Sequence, residues 1–264
     1  MPFVIGDFER LELIAKSSRS TIHRARDGRT GEIVALKVLP DSGVESAWQR
    51  ERVALTHIQH DQVVTCLESG LCEAGAYLAL EWLPGPDLSA RIGQQPLSLS
   101  DLIQLVRQSL RALSAVHQAG YVHRDIKPEN IRQSESGAWK LIDFGEARSL
   151  EDASQQAMMG SIHFMAPEQF GRARITPRTD LYSLGCLFYQ AIAGRSLHEG
   201  DTTAQIITSH LYPSPIAVQS QTLKLPIQFT SWLQALVSRQ PSDRPSSAAL
   251  ALEQFDCLNI NADS

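Results

Sequence analysis

The first third of the chain alternates short apolar runs with polar turns, a pattern typical of β-strands. The runs are LELIA, TIHRA, EIVALKVL, VVTCLES and AYLALEWL, all between residues 11 and 83. Turn sequences such as RDGRTGE and EAGA separate them. One stretch, ESAWQRERVALTHI, instead repeats its apolar positions at helical spacing. This part of the sequence therefore predicts a small antiparallel sheet with one helix packed on it.

The segment LPGPD, residues 83–87, breaks the pattern, because two prolines around a glycine continue neither a strand nor a helix. Beyond it, apolar residues at helical spacing predict an amphipathic helix with Ser100 as its N-cap and Gly120 as its stop. Further helical patterns follow around residues 180–193, 202–210, 229–239 and 246–255.

The expected fold is therefore α+β with two lobes: a small antiparallel β N-lobe with one helix (1–83), a hinge connector (84–87) and a larger helical C-lobe (88–264). A chain of 264 residues is long for one core and short for two independent domains, so we expect a single domain, 1–264. The cleft between the lobes is then the expected ligand site.

Charge and composition narrow the range of partners. A net charge of -5 gives no general attraction to nucleic acid or anionic lipid, so neither nucleic acid nor a membrane is an expected partner. No stretch reaches the ~20 apolar residues of a membrane span, and the start does not resemble a signal peptide. The four cysteines form no C-x-x-C pair, which favours reduced thiols and a cytoplasmic location.

Two segments of the predicted C-lobe concentrate chemically active side chains. YVHRDIKPEN places a carboxylate base, a cation and an amide metal ligand close together, at Asp125, Lys127 and Asn130. Soon afterwards, the apolar strand of LIDFGEA delivers the carboxylate of Asp143 to a flexible turn. Such oxygen ligands in one cleft are able to hold Mg²⁺ over a phosphate.

These motifs resemble the signature set of the protein kinases, because VALK, HRDIKPEN, DFG and APE occur in that order along the chain. In addition, YSLG follows Asp180, and Arg244 in PSDRP matches the arginine that pairs with the glutamate of APE, here Glu168. Lys127 and the proline after it are similar to the serine/threonine branch rather than the tyrosine branch. The resemblance extends over nearly the whole chain.

The resemblance implies a role for each catalytic residue. Lys37 would bind the α- and β-phosphates of ATP, and Glu51 on the lone N-lobe helix would pair with it. Glu45 is the alternative partner, because the distance in sequence from Lys37 to Glu51 is short for the family. The remaining implied roles are proton acceptor for Asp125, γ-phosphate contact for Lys127, and ligands of Mg²⁺ or Mn²⁺ for Asn130 and Asp143.

The resemblance also implies where the adenine and ribose would bind. Ile22 and Ala35 would cover the base, and the backbone from Glu81 to Leu83 would bond to it. Asp87 would reach the ribose, although capping of the following turn is an equally good interpretation of this residue.

The phosphate-binding loop departs from the family pattern. The glycine-rich motif G-x-G-x-x-G-x-V falls on Ala15, Ser17, Ser20 and Ile22, so all three glycines are replaced. Glycine lets backbone N–H groups approach a phosphate closely. We expect a stiffer loop in which the hydroxyls of Ser17, Ser18 and Ser20 donate to phosphate instead.

A second departure lies under the adenine, where the family has an apolar residue and this chain has Arg132. A guanidinium stacks well on a flat ring. Burying it without a partner would cost several kcal/mol. We therefore expect the nucleotide affinity to be either weakened or unusual.

The segment from Asp143 to the APE motif has the length of an activation loop and contains serines but no threonine. Its serines are Ser149, Ser154 and Ser161, and Arg124 beside the catalytic aspartate offers a cation for a phosphoserine. Alternatively, the acidic residues 151–152 already supply the negative charge and no phosphorylation is needed.

The expected activity is transfer of the ATP γ-phosphoryl group to Ser or Thr of protein substrates, with autophosphorylation, by a minimal soluble enzyme of bacterial type. We expect a monomer or weak homodimer. The alternative is a pseudokinase that binds nucleotide or a partner without turnover, which the glycine-free loop and Arg132 favour. A small-molecule phosphotransferase is disfavoured by APEQ, which belongs to a peptide-binding platform.

Overall fold

The described part of the molecule consists of two layers of structure that meet at a cleft. The computed structural model describes residues 4–39, 45–73, 75–151, 160–171, 173–214, 216, 223, 225–258 and 260.

The N-terminal part is a six-stranded antiparallel sheet in the order β1-β2-β3-β4-β6-β5. Its strands are Val4–Ile5 (β1), Phe8–Lys16 (β2), Thr21–Asp27 (β3), Ile33–Leu39 (β4), Cys66–Cys72 (β5) and Gly75–Glu81 (β6). Helix α1, Glu45–His57, packs on this sheet, where the indole of Trp48 donates to the carbonyl of Tyr77 at 3.1 Å. Strands β2 to β6 and the single helix agree with the pattern of the sequence, and β1 is an additional strand that the pattern did not predict.

The larger part is helical in the regions that the structure describes. Its helices are Leu88–Gln94 (α2), Leu99–Gln118 (α3), Pro177–Ala193 (α4), Thr203–Leu211 (α5), Ile227–Leu236 (α6) and Ala248–Asp256 (α7). The hydroxyl of Ser98 accepts from the N–H of Asp101 and caps α3, so the expectation that Ser100 is the cap was wrong. The reason is that α3 begins one residue earlier than Ser100, at Leu99.

Two small antiparallel pairs carry the loops of the cleft. They are Ile131–Gln133 (β8) with Trp139–Leu141 (β9), and Tyr121–Val122 (β7) with Arg148–Ser149 (β10). The loop at residues 123–130 lies between β7 and β8, and the loop at residues 142–147 lies between β9 and β10. Each loop is therefore held at both ends by a strand pair, which positions its side chains.

One apolar core runs continuously from α1 and β6 into the helical part, where Leu110 on α3 and Leu184 on α4 are fully buried. The α+β fold with a β-rich N-lobe and a helical C-lobe is thus confirmed. Among the described helices, none has the length and apolar character needed to span a bilayer.

Candidate active site

A cleft of about 680 Å³ lies between the sheet and the helical part. Most of the residues predicted to bind the nucleotide line it: Ala15, Ser17, Ile22, Ala35, Lys37, Glu81, Leu83, Asp87 and Arg132. Lys127, Asn130, Asp143 and Ser161 line it as well. Ser20 and Asp125 are not among the lining residues, although Asp125 is hydrogen-bonded to Lys127, Asn130 and Ser161, which are.

Lys37 on β4 joins three elements at the centre of the cleft. Its ammonium donates to both carboxylate oxygens of Glu51 on α1, at 2.7 and 2.8 Å, and to Asp143 Oδ1 at 2.8 Å. Burial acts to lower the pKa of Lys37, but the two carboxylates outweigh it and raise the pKa above its usual value. The amine therefore stays charged. The side chain of Glu45, the alternative partner, lies outside the described residues.

Asp143 follows β9 in a left-handed backbone conformation, with a φ of +61°. Such a conformation is uncommon for a residue with a Cβ atom and is typical of functional sites. Its side chain remains about half exposed, facing the cleft. Burial tends to raise the pKa of Asp143, but the ammonium of Lys37 outweighs it and lowers the pKa below its ordinary value. The carboxylate is therefore ionised at neutral pH.

Asp180 at the start of α4 holds the loop that carries Asp125. The buried carboxylate of Asp180 accepts from the backbone N–H of His123 at 2.9 Å and of Arg124 at 2.8 Å. Arg124 also has a left-handed φ of +71°. Because two hydrogen bonds to one buried carboxylate fix this turn, its strained conformation is maintained.

The carboxylate of Asp125 is enclosed by three donors. Oδ2 accepts from Lys127 at 2.6 Å and from the amide nitrogen of Asn130 at 3.1 Å, while Oδ1 accepts from the N–H of Ser161 at 3.2 Å. The amide nitrogen of Asn130 also donates to the carbonyl of Asp125 at 2.8 Å. Because the nitrogen is used in this way, the carbonyl oxygen of Asn130 is the end of the amide that is left to bind a cation.

The segment that connects β6 to α2 forms the back of the cleft. Arg132 on β8 donates from Nε to the carbonyl of Leu83 at 2.9 Å, and its guanidinium lies 4.0 Å from Asp87 Oδ2. Asp87 Oδ1 accepts from the N–H of Ala90 at 2.8 Å and caps α2. Of the two interpretations of Asp87, capping is therefore observed. The partners of Arg132 also offset the cost of its partial burial.

The loop between β2 and β3 is closed by its own hydrogen bonds. The hydroxyl oxygen of Ser17 accepts from the N–H of Arg19 at 3.1 Å and of Ser20 at 3.0 Å, and it donates to the carbonyl of Ser20 at 3.2 Å. In this structure Ser17 is thus engaged within the loop, where a phosphate contact was expected.

A family model described as "Protein kinase domain" matches residues 8–255. The chain belongs to the protein kinase family. Similar curated proteins are bacterial: "Serine/threonine-protein kinase pkn3" of Myxococcus xanthus is 33% identical over 257 residues, which is 89% of this chain and 47% of that protein. "Serine/threonine-protein kinase PknB" of Mycobacterium tuberculosis is 28% identical over 257 residues, which is 92% of this chain and 41% of that protein. The chain spans less than half the length of these relatives.

Protein kinases use ATP and a divalent metal ion to phosphorylate proteins. The donor set of this kinase domain fits such a metal, because Asp143 offers an ionised carboxylate and Asn130 offers an amide oxygen in the same cleft. Hard oxygen ligands of this kind are preferred by Mg²⁺ and similar cations.

The predicted regulatory residues lie beside the catalytic aspartate and along the activation segment. Burial lowers the pKa of Arg124, while the charge of nearby Glu146 acts in the opposite direction. Ser149 lies on β10, and its hydroxyl accepts from the N–H of Glu151 at 3.2 Å. Ser161 contacts Asp125 through its backbone. Ser154 and Asp152 lie outside the described residues.

The APE glutamate forms a buried ion pair with the arginine that the sequence suggested. Arg244 donates to both carboxylate oxygens of Glu168, at 2.7 and 2.9 Å, and both side chains are almost fully buried. The hydroxyl of Thr179 on α4 donates to the same carboxylate at 2.9 Å. This pair fixes the segment after the activation loop to the helical core.

Several cleft residues were not found from the sequence. Ile14, Val64, Glu129 and Ile142 also line the cleft. Ile142 had a local signal, because it lies in the apolar run immediately before Asp143. Glu129 lies within HRDIKPEN but was given no role, and Ile14 and Val64 come from positions that carry no motif.

Proposed function

We propose that this kinase domain is an ATP-dependent protein serine/threonine kinase that uses Mg²⁺ or Mn²⁺. The observation that carries the proposal is that one cleft is lined by the Lys37–Glu51–Asp143 network and by Lys127 and Asn130, the two residues whose side chains hold the carboxylate of Asp125 beside it. A partner-binding module would have no need of this set of charges.

In the proposed reaction, Lys37 binds the α- and β-phosphates of ATP and Glu51 holds its ammonium in place. The bound metal ion would neutralise charge on the phosphates, with Asp143 and Asn130 as its ligands. Asp125 accepts the proton of the substrate hydroxyl, whose oxygen then forms the new bond to the γ-phosphorus as the bond to ADP breaks. Lys127, 2.6 Å from Asp125, orients that carboxylate and binds the transferred phosphoryl group.

Serine or threonine is the proposed acceptor. Support comes from the Lys-Pro pair after Asp125 and from the printed names of the bacterial relatives. The proposal extends to residues 1–264 as one kinase domain, to autophosphorylation, and to a cytoplasmic monomer or weak homodimer with no nucleic acid or membrane partner.

The test is transfer of labelled phosphate from ATP to the protein itself and to a generic basic protein, with Mg²⁺ and with Mn²⁺, followed by analysis of the phosphorylated amino acids. We expect label on serine and threonine and none on tyrosine. Folded protein that binds ATP but transfers no label at millimolar nucleotide would contradict the proposal and favour a pseudokinase.

A further inference from the structure

The apex of the glycine-free phosphate loop makes a contact with the opposite side of the cleft. Arg19 lies in the turn that Ser17 closes, and its side chain is 71% exposed. Its guanidinium nitrogen lies 2.5 Å from Oε1 of Glu146. Since Glu146 follows Gly145 of the DFG motif, this hydrogen bond links the loop between β2 and β3 to the start of the activation segment.

Glu146 is an unusual partner because it is buried, with only 8% of its side chain exposed. Its second oxygen lies 4.0 Å from the guanidinium of Arg148, and the charge of Arg124 also acts on it. Buried carboxylates need cations or donors nearby. The charges of Arg148 and Arg124 therefore stabilise the carboxylate of Glu146. Arg19, on the loop between β2 and β3, donates a hydrogen bond to the same carboxylate.

Arg19 also lies within the electrostatic field of the catalytic carboxylates. Its hydrogen bond to Glu146 and the charge of that residue raise its pKa above the usual value, and Asp143 and Asp125 add to the effect. Arg19 is not itself a lining residue of the cleft, but its charge interacts with Asp143, which lines the cleft together with Lys37 and Asn130. That is the region in which the proposed function puts the β- and γ-phosphates.

The same loop lacks the glycines whose backbone N–H groups usually bind phosphate in this family. The N–H groups of Arg19 and Ser20 already donate to the hydroxyl of Ser17, and no glycine allows a closer approach of the backbone. The loop therefore needs another way to be held over the phosphates.

We propose that Arg19 and Glu146 form a clasp that fixes the glycine-free loop over the phosphate site, and that Arg19 adds positive charge there. The inference rests on the proposed nucleotide site. Both are positioning residues: Glu146 acts through Arg19, and Arg19 acts on the phosphate end of the nucleotide and leaves its base unaffected.

The test is calorimetric titration of the whole chain with ATP and Mg²⁺ and, separately, with adenosine. Arg19→Ala should weaken ATP binding at least about threefold and leave adenosine affinity unchanged, because adenosine has no phosphates. Glu146→Gln should likewise weaken ATP binding and leave adenosine affinity unchanged. The ATP affinity of the double variant should be no lower than that of the single variant with the lower affinity. Arg19→Lys should recover part of the loss.

Arg26→Ala is the matched control, because it removes the same charge from an exposed position on β3 of the same hairpin. It should leave both affinities unchanged. Arg19 is mostly exposed, so Arg19→Ala should fold even if Glu146→Gln is less stable, and thermal unfolding of each variant checks this.

ATP affinity that is unchanged in Arg19→Ala, or equal losses for ATP and adenosine, would overturn the clasp while leaving the proposed function intact. Strictly additive losses in the double variant would also overturn it. Wild-type protein that binds neither ligand would overturn the clasp and the proposed function together, and that result is distinguishable from the others.

Discussion

Arg132 affects nucleotide binding in two opposing ways: its guanidinium can stack on the base, but a bound base removes water from its charge. Its Nε donates to the carbonyl of Leu83, so the guanidinium has a fixed place beneath the back of the cleft. About a quarter of its side chain is exposed, so its charge keeps some hydration. A base that binds here would remove the rest of that hydration, which costs free energy.

Arg132→Leu should tighten ATP binding by roughly threefold to tenfold, since apolar area against the base contributes about 25 cal/mol per Å². Titration with ATP measures this, with Arg132→Lys as the control that keeps the charge. Unchanged or weaker binding by the leucine variant would instead indicate that the guanidinium stacks favourably on the base.

At the residue scale, the sequence predicted which side chains line the cleft better than it predicted their hydrogen bonds. Lys37, Asn130 and Asp143 stand in motifs whose spacing dictates where they lie. Ser17 and Asp87 do not: each is a short polar side chain beside free backbone N–H groups, and local capping competes with ligand binding. Only the three-dimensional structure decides between these uses.

At the scale of elements, the ion pair of Glu168 and Arg244 attaches the activation segment to the helical core. Removing one member of a buried pair leaves the other charge without its partner, which typically costs about 3–5 kcal/mol. Arg244→Ala should therefore lower the free energy of unfolding by about that amount in urea denaturation.

The chain contains a matched control for this prediction. Arg195 and Glu199 form an ion pair on the surface, 3.2 Å apart, with both side chains more than half exposed. Arg195→Ala should change the free energy of unfolding by less than about 1 kcal/mol. Equal effects of the two substitutions would contradict the assigned role of burial.

Helices and strands were predictable where the apolar positions repeat regularly over many residues. Strands β2 to β6 and helix α3 follow from clear apolar patterns, whereas β1, with two residues, was not predicted. Strands β7 and β10 have two residues each, and α2 has only seven, so no period is discernible in them. Their positions follow from tertiary contacts, whereas the cap of α3 at Ser98 is a local hydrogen bond from the N–H of Asp101.

At the scale of the whole molecule, a buried histidine pair links the stability of the kinase domain to pH. The hydroxyl of Tyr182 lies 2.8 Å from His198 Nε2 and 2.8 Å from His210 Nδ1. Burial lowers the pKa of His198 to about 4 and the pKa of His210 to about 3. In the unfolded chain both imidazoles have a pKa of about 6.5.

Between about pH 6.5 and pH 4, these two histidines are protonated in the unfolded chain but remain neutral in the folded chain. The free energy of unfolding should therefore fall as the pH falls below about 6.5, and continue to fall toward pH 4. Each histidine should contribute about 2 kcal/mol of loss between pH 7 and pH 5. Denaturant unfolding at several pH values measures this. His210→Asn should remove about half of the dependence and His57→Asn, at an exposed position, should not; identical slopes in all three proteins would contradict the account.

Contacts between distant parts of the chain were the least predictable from sequence. Arg19 and Glu146 are separated by 127 positions, and neither stands at a position with a motif role. Lys37 and Glu51 were paired through the family resemblance, since spacing alone left Glu45 open. Contacts such as that between Arg19 and Glu146 could not be predicted because they join loops from different lobes, and the sequences of these loops have no periodic or motif signal.

The central claim is that Asp125 in this cleft accepts the proton of a protein hydroxyl during phosphoryl transfer. The most direct measurement is the initial rate of labelled phosphate transfer to a basic protein by wild type and by Asp125→Asn, purified identically. The account predicts a fall of at least about a hundredfold, because a general base typically contributes that much or more. Equal rates from the two proteins would contradict it, since the transfer would then not depend on this carboxylate.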